Sequence, residues 1–383
     1  MHGNERIDVQ WRPRLPVFLL VGFVLMMWVG SQGVAATSDS SYYDVGSPTL
    51  QDIWVDPVQG NDGHSGATRA LAVRTLAEAW NRIPMGSTLT TTGYRILMVA
   101  GDYAESGLPN YMESRYGTYP FPVIIQAADG FLTTHLHGYL NIYDSRYLYL
   151  VGLDLVTDPG YGGGGNVIHI ERGDHILIRS CRLNGFDGAE NQPQETLKVN
   201  QSQYLYVESS DISGAFWFAL DYVAVQYGHI RGNRIHNSGD DGVVLKGGTA
   251  YLQIEANEVF DCGVIGLAAG QGTGFEYMVS PWIHYEAYDL KFINNIIHDT
   301  QNAGMAVRGG YNILMAYNTL YRIGINSGVG APLLLVSPGS RGCDGDATAC
   351  QARHNLGGWG PMAVGSSGEM IPNRNVYINN NVF

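Results

Sequence analysis

The sequence predicts an all-β solenoid, a parallel β-helix, and two observations support that prediction. Glycine accounts for 50 of the 383 residues, while only 15% of the residues are charged, a composition typical of strands and tight turns. A short apolar pattern also recurs, 23 residues apart from Leu205 to Gly228 and 24 apart from Gly228 to Leu252. A repeat of that length is one coil of a solenoid, in which each coil buries its apolar face against its neighbours.

The repeated pattern is an octad whose first, third and eighth residues are mostly apolar. Residues in those places form the inward face of a strand that is buried in a parallel sheet. Longer distances between octads indicate a coil with an inserted loop, or more than one coil. The octads are Leu148–Leu155, Ile176–Leu183, Leu205–Ile212, Gly228–Ile235, Leu252–Val259, Leu290–Ile297, Ile313–Leu320 and Asn375–Val382.

Asparagine occupies the sixth place of the later octads. Asn tolerates the left-handed backbone of a tight turn, and its side chain forms hydrogen bonds to its neighbours. Stacked about 4.8 Å apart, such side chains form a ladder of amide hydrogen bonds, so we interpret them as structural and not catalytic. They are Asn233, Asn257, Asn295, Asn318 and Asn380.

The first 36 residues have the layout of a secretory signal peptide. Arg12 and Arg14 precede an apolar run over residues 15–29, and small residues ending at Ala36 follow it, which predicts cleavage after Ala36. An uncleaved membrane anchor is the alternative, but the run is short for a span of about 20 residues. We therefore expect residues 37–383 to form one β-helix domain that is secreted, periplasmic or on the cell surface, with no membrane partner after cleavage.

The net charge and the cysteines limit the partners and the covalent links. A formal charge of −13 argues against nucleic acid as a partner. It does not exclude an acidic polysaccharide, because a local basic groove or a bound Ca²⁺ makes the electrostatic potential positive at the binding site. Cys343 and Cys350 lie seven residues apart and are expected to form a disulfide, whereas Cys181 and Cys262 fall near strands and are expected to be buried.

We expect the open ends of the solenoid to be covered. Leu76, Ala79, Trp80 and Ile83 lie on one face of a short amphipathic helix, which we expect to cap the N-terminal end. The sequence stops within another strand-like segment. Because an uncovered edge invites strand addition, we expect either that the natural chain continues past Phe383 or that another element covers this edge.

The segment "WVDPVQGNDGHSG" and the stretch from "GDDGVVLKGG" to "NAGMAVRGG" resemble bacterial proteins of the pectate-lyase-like superfamily. The similarity covers residues 53–383. It implies a single-stranded right-handed parallel β-helix with an N-terminal capping helix. Since this fold hosts lyases, hydrolases, epimerases and non-enzymatic adhesins, the resemblance says little about the reaction.

Candidate chemistry centres on Lys246 and Arg308, each of which precedes a Gly-Gly pair and an octad. One octad lies between them, so we expect the two side chains two rungs apart, about 10 Å at ~4.8 Å per rung. Paired glycines let a polymer approach the backbone closely. Both residues are therefore predicted to lie along one lateral surface that contacts a polysaccharide.

The leading hypothesis is a lyase that cleaves a uronate polymer by β-elimination, which needs a base and a positive charge near the substrate carboxylate. Lys246 resembles the catalytic Lys of alginate and chondroitin lyases that share this fold. Their partner Arg falls where this chain has Ala268 and Ala269, so Arg308 would take the carboxylate from the next rung. Asp240 and Asp241 resemble the adjacent Ca²⁺-binding aspartates of some pectate lyases, although Val244 stands at the third ligand position.

Two alternatives stay open. "GDDGVVLKGG" resembles the "GDD" element of polygalacturonases, in which paired carboxylates such as Asp240 and Asp241 activate water, although that family's Asn-Thr-Asp and His are absent here. The other is a non-catalytic protein that binds glycans at the cell surface, with Asp-Asp-Gly as an ordinary turn.

An aromatic insertion over residues 272–288 is expected to wall the groove, because aromatic faces suit the C–H surfaces of sugar rings. Together with the preceding Gln271, the side chains expected to contact substrate are Glu276, Trp282, His284 and Tyr285.

Overall fold

The computed structural model describes residues 42–157, 165–185, 193–278, 285–325, 333–343, 345–357 and 369–383. The segment assigned to the signal peptide lies outside them. The described residues form three long sheets whose strands are all parallel. Most coils contribute one strand to each of these sheets, in the order C, A, B, with the sheets defined below. No helix within these ranges has the length and apolarity needed to cross a membrane.

Sheet A holds the first residues of each octad, whose eighth residue falls in sheet B from Leu155 to Leu320, and it has eleven strands. They are β1 (Leu50–Val55), β2 (Gly93–Met98), β5 (Val123–Ala127), β8 (Arg146–Val151), β11 (Asp174–Arg179), β14 (Gln203–Glu208), β17 (Gln226–Arg231), β20 (Thr249–Glu255), β23 (Ala287–Ile293), β26 (Gly310–Ala316) and β31 (Arg374–Asn379).

Sheet B follows the asparagine turn and has nine strands. They are β3 (Gly101–Tyr103), β6 (Thr134–His137), β9 (Asp154–Val156), β12 (Arg182–Asn184), β15 (Asp211–Ala215), β18 (Arg234–Ser238), β21 (Glu258–Cys262), β24 (Ile296–Thr300) and β27 (Thr319–Ile323).

Sheet C completes each coil, also with nine strands. They are β4 (Met112–Glu113), β7 (Leu140–Tyr143), β10 (Ile168–Glu171), β13 (Glu195–Asn200), β16 (Phe218–Val223), β19 (Val243–Lys246), β22 (Ile265–Ala269), β25 (Ala303–Arg308) and β28 (Leu334–Ser337).

The remaining elements are short. Strands β29 (Gly339–Arg341) and β30 (Glu369–Ile371) pair antiparallel. Helices α1 and α2 span Leu76–Asn81 and Ala347–Gly357, and single 3₁₀ turns occupy Arg69–Leu71, Glu105–Gly107 and Phe275–Tyr277.

The predicted octad register is confirmed from Leu148 to Leu320. The first octad residues stand opposite one another in successive strands of sheet A, as in the pairs Ile176 with Leu205 and Leu290 with Ile313. Their side chains point inward, into one continuous apolar core. That core extends along the whole described solenoid, because each coil covers the apolar side chains of the next.

The asparagine ladder is confirmed with one correction. Asn257 donates its backbone N–H and its side-chain amide to Asn295 Oδ1 at 3.0 and 2.9 Å, and Asn318 makes the same pair of bonds to Asn381. The ladder therefore ends at Asn381 and not at Asn380. Val376 pairs with Ile313, so the last octad begins one residue later than the run of three asparagines suggested.

The left-handed backbone belongs to the residue before each ladder position, not to the ladder asparagine. Ala256, Asn294, Tyr317 and Asn380 have φ of 55°, 57°, 60° and 52°. The ladder asparagines owe their place to their amide hydrogen bonds alone, which explains why Ser210 fills an equivalent place in an earlier coil and donates to a backbone carbonyl there.

The predicted helical face is buried at the N-terminal end. Thr75 caps helix α1 by accepting a hydrogen bond from Glu78 N–H at 3.1 Å, and Leu76, Ala79 and Trp80 pack into the core. The helix is confirmed, while its capping role stays a prediction. The expected disulfide joins Cys343 to Cys350.

Candidate functional site

The outer face of sheet C carries two adjacent rows of side chains that run along the solenoid. Lys198 stands opposite Asp221 in the first row, and Asn200 stands opposite Val223 in the second. Val223 in turn stands opposite Lys246. The register beyond Lys246 continues through Gly270 to Arg308, so these two cations lie two rungs apart, as the octads predicted.

Gly270 is required between those two rungs. Its φ is +86°, and a Cβ atom there would lie 2.0 Å from the carbonyl oxygen of Arg308. No other residue type fits that approach without displacing the next rung. The surface between Lys246 and Arg308 is therefore bare backbone.

Two lysines share one buried carboxylate. Asp221 is fully buried, and its Oδ2 accepts a short hydrogen bond from Lys198 Nζ and lies 3.4 Å from Lys246 Nζ. Its other oxygen, Oδ1, has no hydrogen-bond partner within the described ranges. Glu195 lies at the edge of this cluster, 3.7 Å from Lys198. We call these four residues the lysine cluster.

The two carboxylates of the cluster favour the charged form of Lys198. Burial lowers the pKa of Lys198, but the negative charges of Asp221 and Glu195 outweigh it and the net shift is upward. Burial, together with the negative charge of Asp221, raises the pKa of Glu195.

Lys246 is held at the floor of a cavity. Its Nζ donates to Gln271 Oε1 at 2.9 Å and lies 4.8 Å from the ring centre of Phe218. The cavity, of about 410 Å³, is lined by both lysines and walled by Trp217 and Tyr277, which are about two-fifths exposed. Cations at the floor and aromatic faces at the rim suit an acidic sugar. We call this space the lysine cavity.

Arg308 and Asp241 pair with each other instead of facing solvent together. Arg308 Nη2 donates to Asp241 Oδ2 at 2.9 Å, and the backbone N–H of Ile265 donates to Oδ1 at 3.1 Å. Burial is the main cause that raises the pKa of Asp241 to about 7, and Asp240 adds to it against the opposing charge of Arg308.

The surroundings of Asp241 do not fit a Ca²⁺ site. The aspartate is fully buried, and both of its oxygens already accept hydrogen bonds from protein donors. Across the described ranges, the side chains of Asp240 and Asp241 belong to no cluster of three His, Cys, Asp or Glu ligands. Oxygen-rich coordination of the kind Ca²⁺ requires is thus not formed by this pair, and we assign it no step.

In the insertion after β22, Tyr277 lines the lysine cavity, whereas other side chains hold the loop in place. Glu276 accepts a hydrogen bond from the backbone of Gly345 at 2.9 Å, and Tyr285 stacks on Tyr311 with ring centres 4.9 Å apart. Both therefore serve to fix the loop. Trp282 and His284, which the sequence also proposed as sugar contacts, lie outside the described residues.

A buried ion pair fixes the insertion to the C-terminal loop. Glu286 and Arg341 are both fully buried and joined at 2.5 Å, and Glu286 also accepts from Thr273 Oγ1 at 2.8 Å. Phe275 packs with the disulfide in a small separate core. Tyr277 is thereby held over the lysine cavity.

Sequence reasoning found Lys246 but missed Lys198 and Asp221. A signal was available: His169, Lys198 and Asp221 each stand seven residues before their octad. In the structure these residues form one row on the outer face of sheet C. The position seven residues before each octad, and not unusual motifs alone, therefore indicates which residues lie on the outer face of sheet C.

Comparisons with known proteins agree on the fold. The family model of the right-handed β-helix region matches residues 160–331. The pectate lyase Pel9A is 15% identical over 78% of this chain and 78% of its own, with a TM-score of 0.52. XylC, solved in complex with xylose, is 9% identical over 76% of this chain and 71% of its own, also with a TM-score of 0.52.

No curated protein matches the sequence. At these identities the structural likeness concerns the fold alone. The coil-by-coil parallel pairing, the asparagine ladder and these likenesses identify the chain as a right-handed parallel β-helix protein.

Proposed function

We propose that this protein binds a uronate-containing polysaccharide on the outer face of sheet C and cleaves it by β-elimination. The observation that carries the proposal is the pair of lysines at the floor of an aromatic-walled cavity, sharing the buried carboxylate of Asp221. A uronate needs one positive charge beside its carboxylate and one base beside C5. The pectate lyase among the structural neighbours shares the scaffold.

In the proposed reaction Lys246 is the base. It takes the proton from C5 of the sugar, the electrons of that C–H bond form the C4–C5 double bond, and the C4–O bond to the leaving sugar breaks. The leaving oxygen takes up a proton from water or from the protonated Lys246. The Gln271 side chain, 2.9 Å from Lys246 Nζ, orients the amine towards the cavity.

Lys198 is the proposed fixed cation. Its raised pKa keeps it charged, so it stabilises the negative charge that develops on the substrate carboxylate as C5 loses its proton. Asp221 positions both amines. Arg308, which the sequence proposed for this role, is already paired with Asp241, and we propose it as a neighbouring subsite contact instead.

Absorbance near 235 nm tests the reaction, because β-elimination creates an unsaturated uronate that absorbs there. The substrates are pectate, alginate, chondroitin, hyaluronan and ulvan. We expect one of them to give a rising signal, and Lys246→Gln to lower the rate about 100-fold or more. Lys198→Gln should lower it by a similar factor.

The matched control is Lys291→Gln. Lys291 is an exposed lysine on the outer face of sheet A, so its loss removes the same charge away from the cavity. Equal losses in Lys291→Gln and Lys246→Gln would contradict a role specific to the lysine cluster. Absence of any signal with every polymer would overturn the lyase.

A non-catalytic glycan-binding protein is the second candidate. It is favoured by the same salt bridges, since two lysines held by one buried carboxylate can bind an anionic sugar without any proton transfer. Binding of a polymer by the wild type with neither unsaturated product nor new reducing ends would identify this function. New reducing ends without absorbance would instead indicate hydrolysis, and Asp240→Asn would then test the carboxylate hypothesis.

A further inference from the structure

A second cavity, of about 590 Å³, lies beside the lysine cavity at the turns that lead from sheet C to sheet A. Turn residues from four successive coils line it, and Arg353 of helix α2 closes one side. The two cavities are adjacent along the chain: Asn200 lines the lysine cavity and Gln201 lines the second one. We call the second space the arginine cavity.

Three guanidinium groups face this cavity, from Arg146, Arg172 and Arg353. Arg146 and Arg172 are about half exposed, and their nearest recorded carboxylate oxygens, on Asp144 and Glu171, lie at 4.0 and 3.6 Å. Arg353 makes no ion pair within the described ranges. These distances leave guanidinium N–H groups able to bind an incoming anion.

The two carboxylates in the lining are already engaged. Asp144 accepts from Tyr116 O–H at 2.6 Å, and Asp174 binds His175 and the side-chain amide of Gln203. Three guanidinium groups against two bonded carboxylates give a local positive excess in a chain of net charge −13. The cavity is thus a basic site on an acidic protein.

Side-chain amides complete the lining. Gln203 stands opposite Gln226 in successive strands of sheet A, and Gln201 donates to the carbonyl of Tyr277 at 3.1 Å. Amides both donate and accept, which suits sugar hydroxyl groups. Because Tyr277 also walls the lysine cavity, the Gln201 contact forms the partition between the two spaces.

We infer that the arginine cavity is a subsite for a second acidic sugar unit, whose carboxylate is bound by Arg172 and Arg353. The inference rests on the proposed function and specifies the substrate as a polymer with repeated carboxylates. Three rungs separate Lys246 from Arg172, a distance along the solenoid axis of roughly 14 Å at ~4.8 Å per rung. We expect a disaccharide to be too short to contact both Lys246 and Arg172, and a hexasaccharide to be long enough.

Titration calorimetry with hexagalacturonate, hexamannuronate and hexaguluronate tests this subsite, with xylohexaose as the neutral probe. All proteins carry Lys246→Gln, which prevents cleavage. The double variant Arg172→Gln, Arg353→Gln is compared with Arg234→Gln, an arginine of similar exposure on sheet B. We expect the double variant to bind one hexauronate at least tenfold more weakly, and the corresponding disaccharide with unchanged affinity.

The possible failures separate the two proposals. Unchanged hexauronate affinity in the double variant, together with a tenfold loss in Lys198→Gln, overturns the subsite and leaves the proposed function standing. Absence of binding by all three hexauronates and by hexasaccharides of chondroitin, hyaluronan and ulvan overturns both. Arginine-dependent binding of a chondroitin sulfate hexasaccharide, but not of its unsulfated form, overturns the carboxylate assignment in favour of sulfate.

Discussion

At the scale of single residues, two buried aspartates on sheet C show how neighbours decide the use of a carboxyl group. Asp221 lies between two lysines, and one of its oxygens has no hydrogen-bond partner among the residues that the structure describes. Asp241 lies two residues before β19, the next strand of sheet C, with Arg308 beside it, and burial raises its pKa to about 7. The first suits a site that holds charged amines, whereas the second is a carboxyl group whose ionisation is costly.

Asp241 therefore makes stability depend on pH in a definite direction. Its folded pKa of about 7 lies above the ordinary value of 3.8, so between these values the folded protein holds a proton that the unfolded chain has lost. The free energy of unfolding that Asp241 contributes falls as pH rises through this window. One pKa unit corresponds to about 1.4 kcal/mol, so the expected change is a few kcal/mol.

Thermal unfolding of the wild type and Asp241→Asn from pH 4 to pH 8 measures this effect. The stability of the wild type relative to the variant should decrease as pH rises. Asp289→Asn, which removes a carboxylate bonded to Asn312 on sheet A, serves as the control. A relative stability that increases with pH would show that the charge of Arg308 affects the pKa of Asp241 more than burial does.

At the scale of elements, the asparagine ladder links successive coils through buried side-chain hydrogen bonds. Asn295 Oδ1 accepts from Asn257, and its amide donates to Ile254 O at 2.9 Å and to Asn318. Replacement by Ala leaves several buried donors and acceptors without partners, which costs about 1–3 kcal/mol each. We therefore expect Asn295→Ala to lower the free energy of unfolding by several kcal/mol.

Denaturant unfolding should compare Asn295→Ala with a second variant, Asn295→Ser. Serine already fills the equivalent place at Ser210, where it donates to Glu208 O at 2.9 Å. The serine variant should thus recover part of the stability lost in the alanine variant. Equal losses in both would mean that the amide stack, and not the bond to the backbone, carries the energy.

Sequence could predict sheet A but not the whole site, for a physical reason. The octads combine an apolar inward face with a fixed turn, so they mark sheet A and its register. Sheet C has no such turn residue, and its outward residues vary from coil to coil: Lys198, Asp221, Val244. Tyr277 belongs to the aromatic insertion that the sequence predicted as a wall, but its position depends on contacts distant in sequence, such as the Glu286–Arg341 pair, which no local pattern encodes.

At the scale of the whole molecule, each described strand of the three long sheets pairs only with strands of the adjacent coils. Strand β8 pairs with β5 and β11, and β26 pairs with β23 and β31. Stability in such a chain is approximately a sum of coil and interface contributions. A defect in one coil should therefore weaken nearby coils and leave distant ones intact.

Leu148→Ala tests this local cooperativity. Leu148 is fully buried in β8, and removing its side chain costs about 2–5 kcal/mol through lost burial and a residual cavity. Hydrogen exchange followed by mass spectrometry should show faster exchange in β5, β8 and β11 and unchanged exchange in β23 and β26. Met315→Ala in β26, also fully buried, should give the reverse pattern. A uniform loss of protection in either variant would mean that the described coils unfold as one unit, in which case the lysine cluster would share the stability of the entire solenoid.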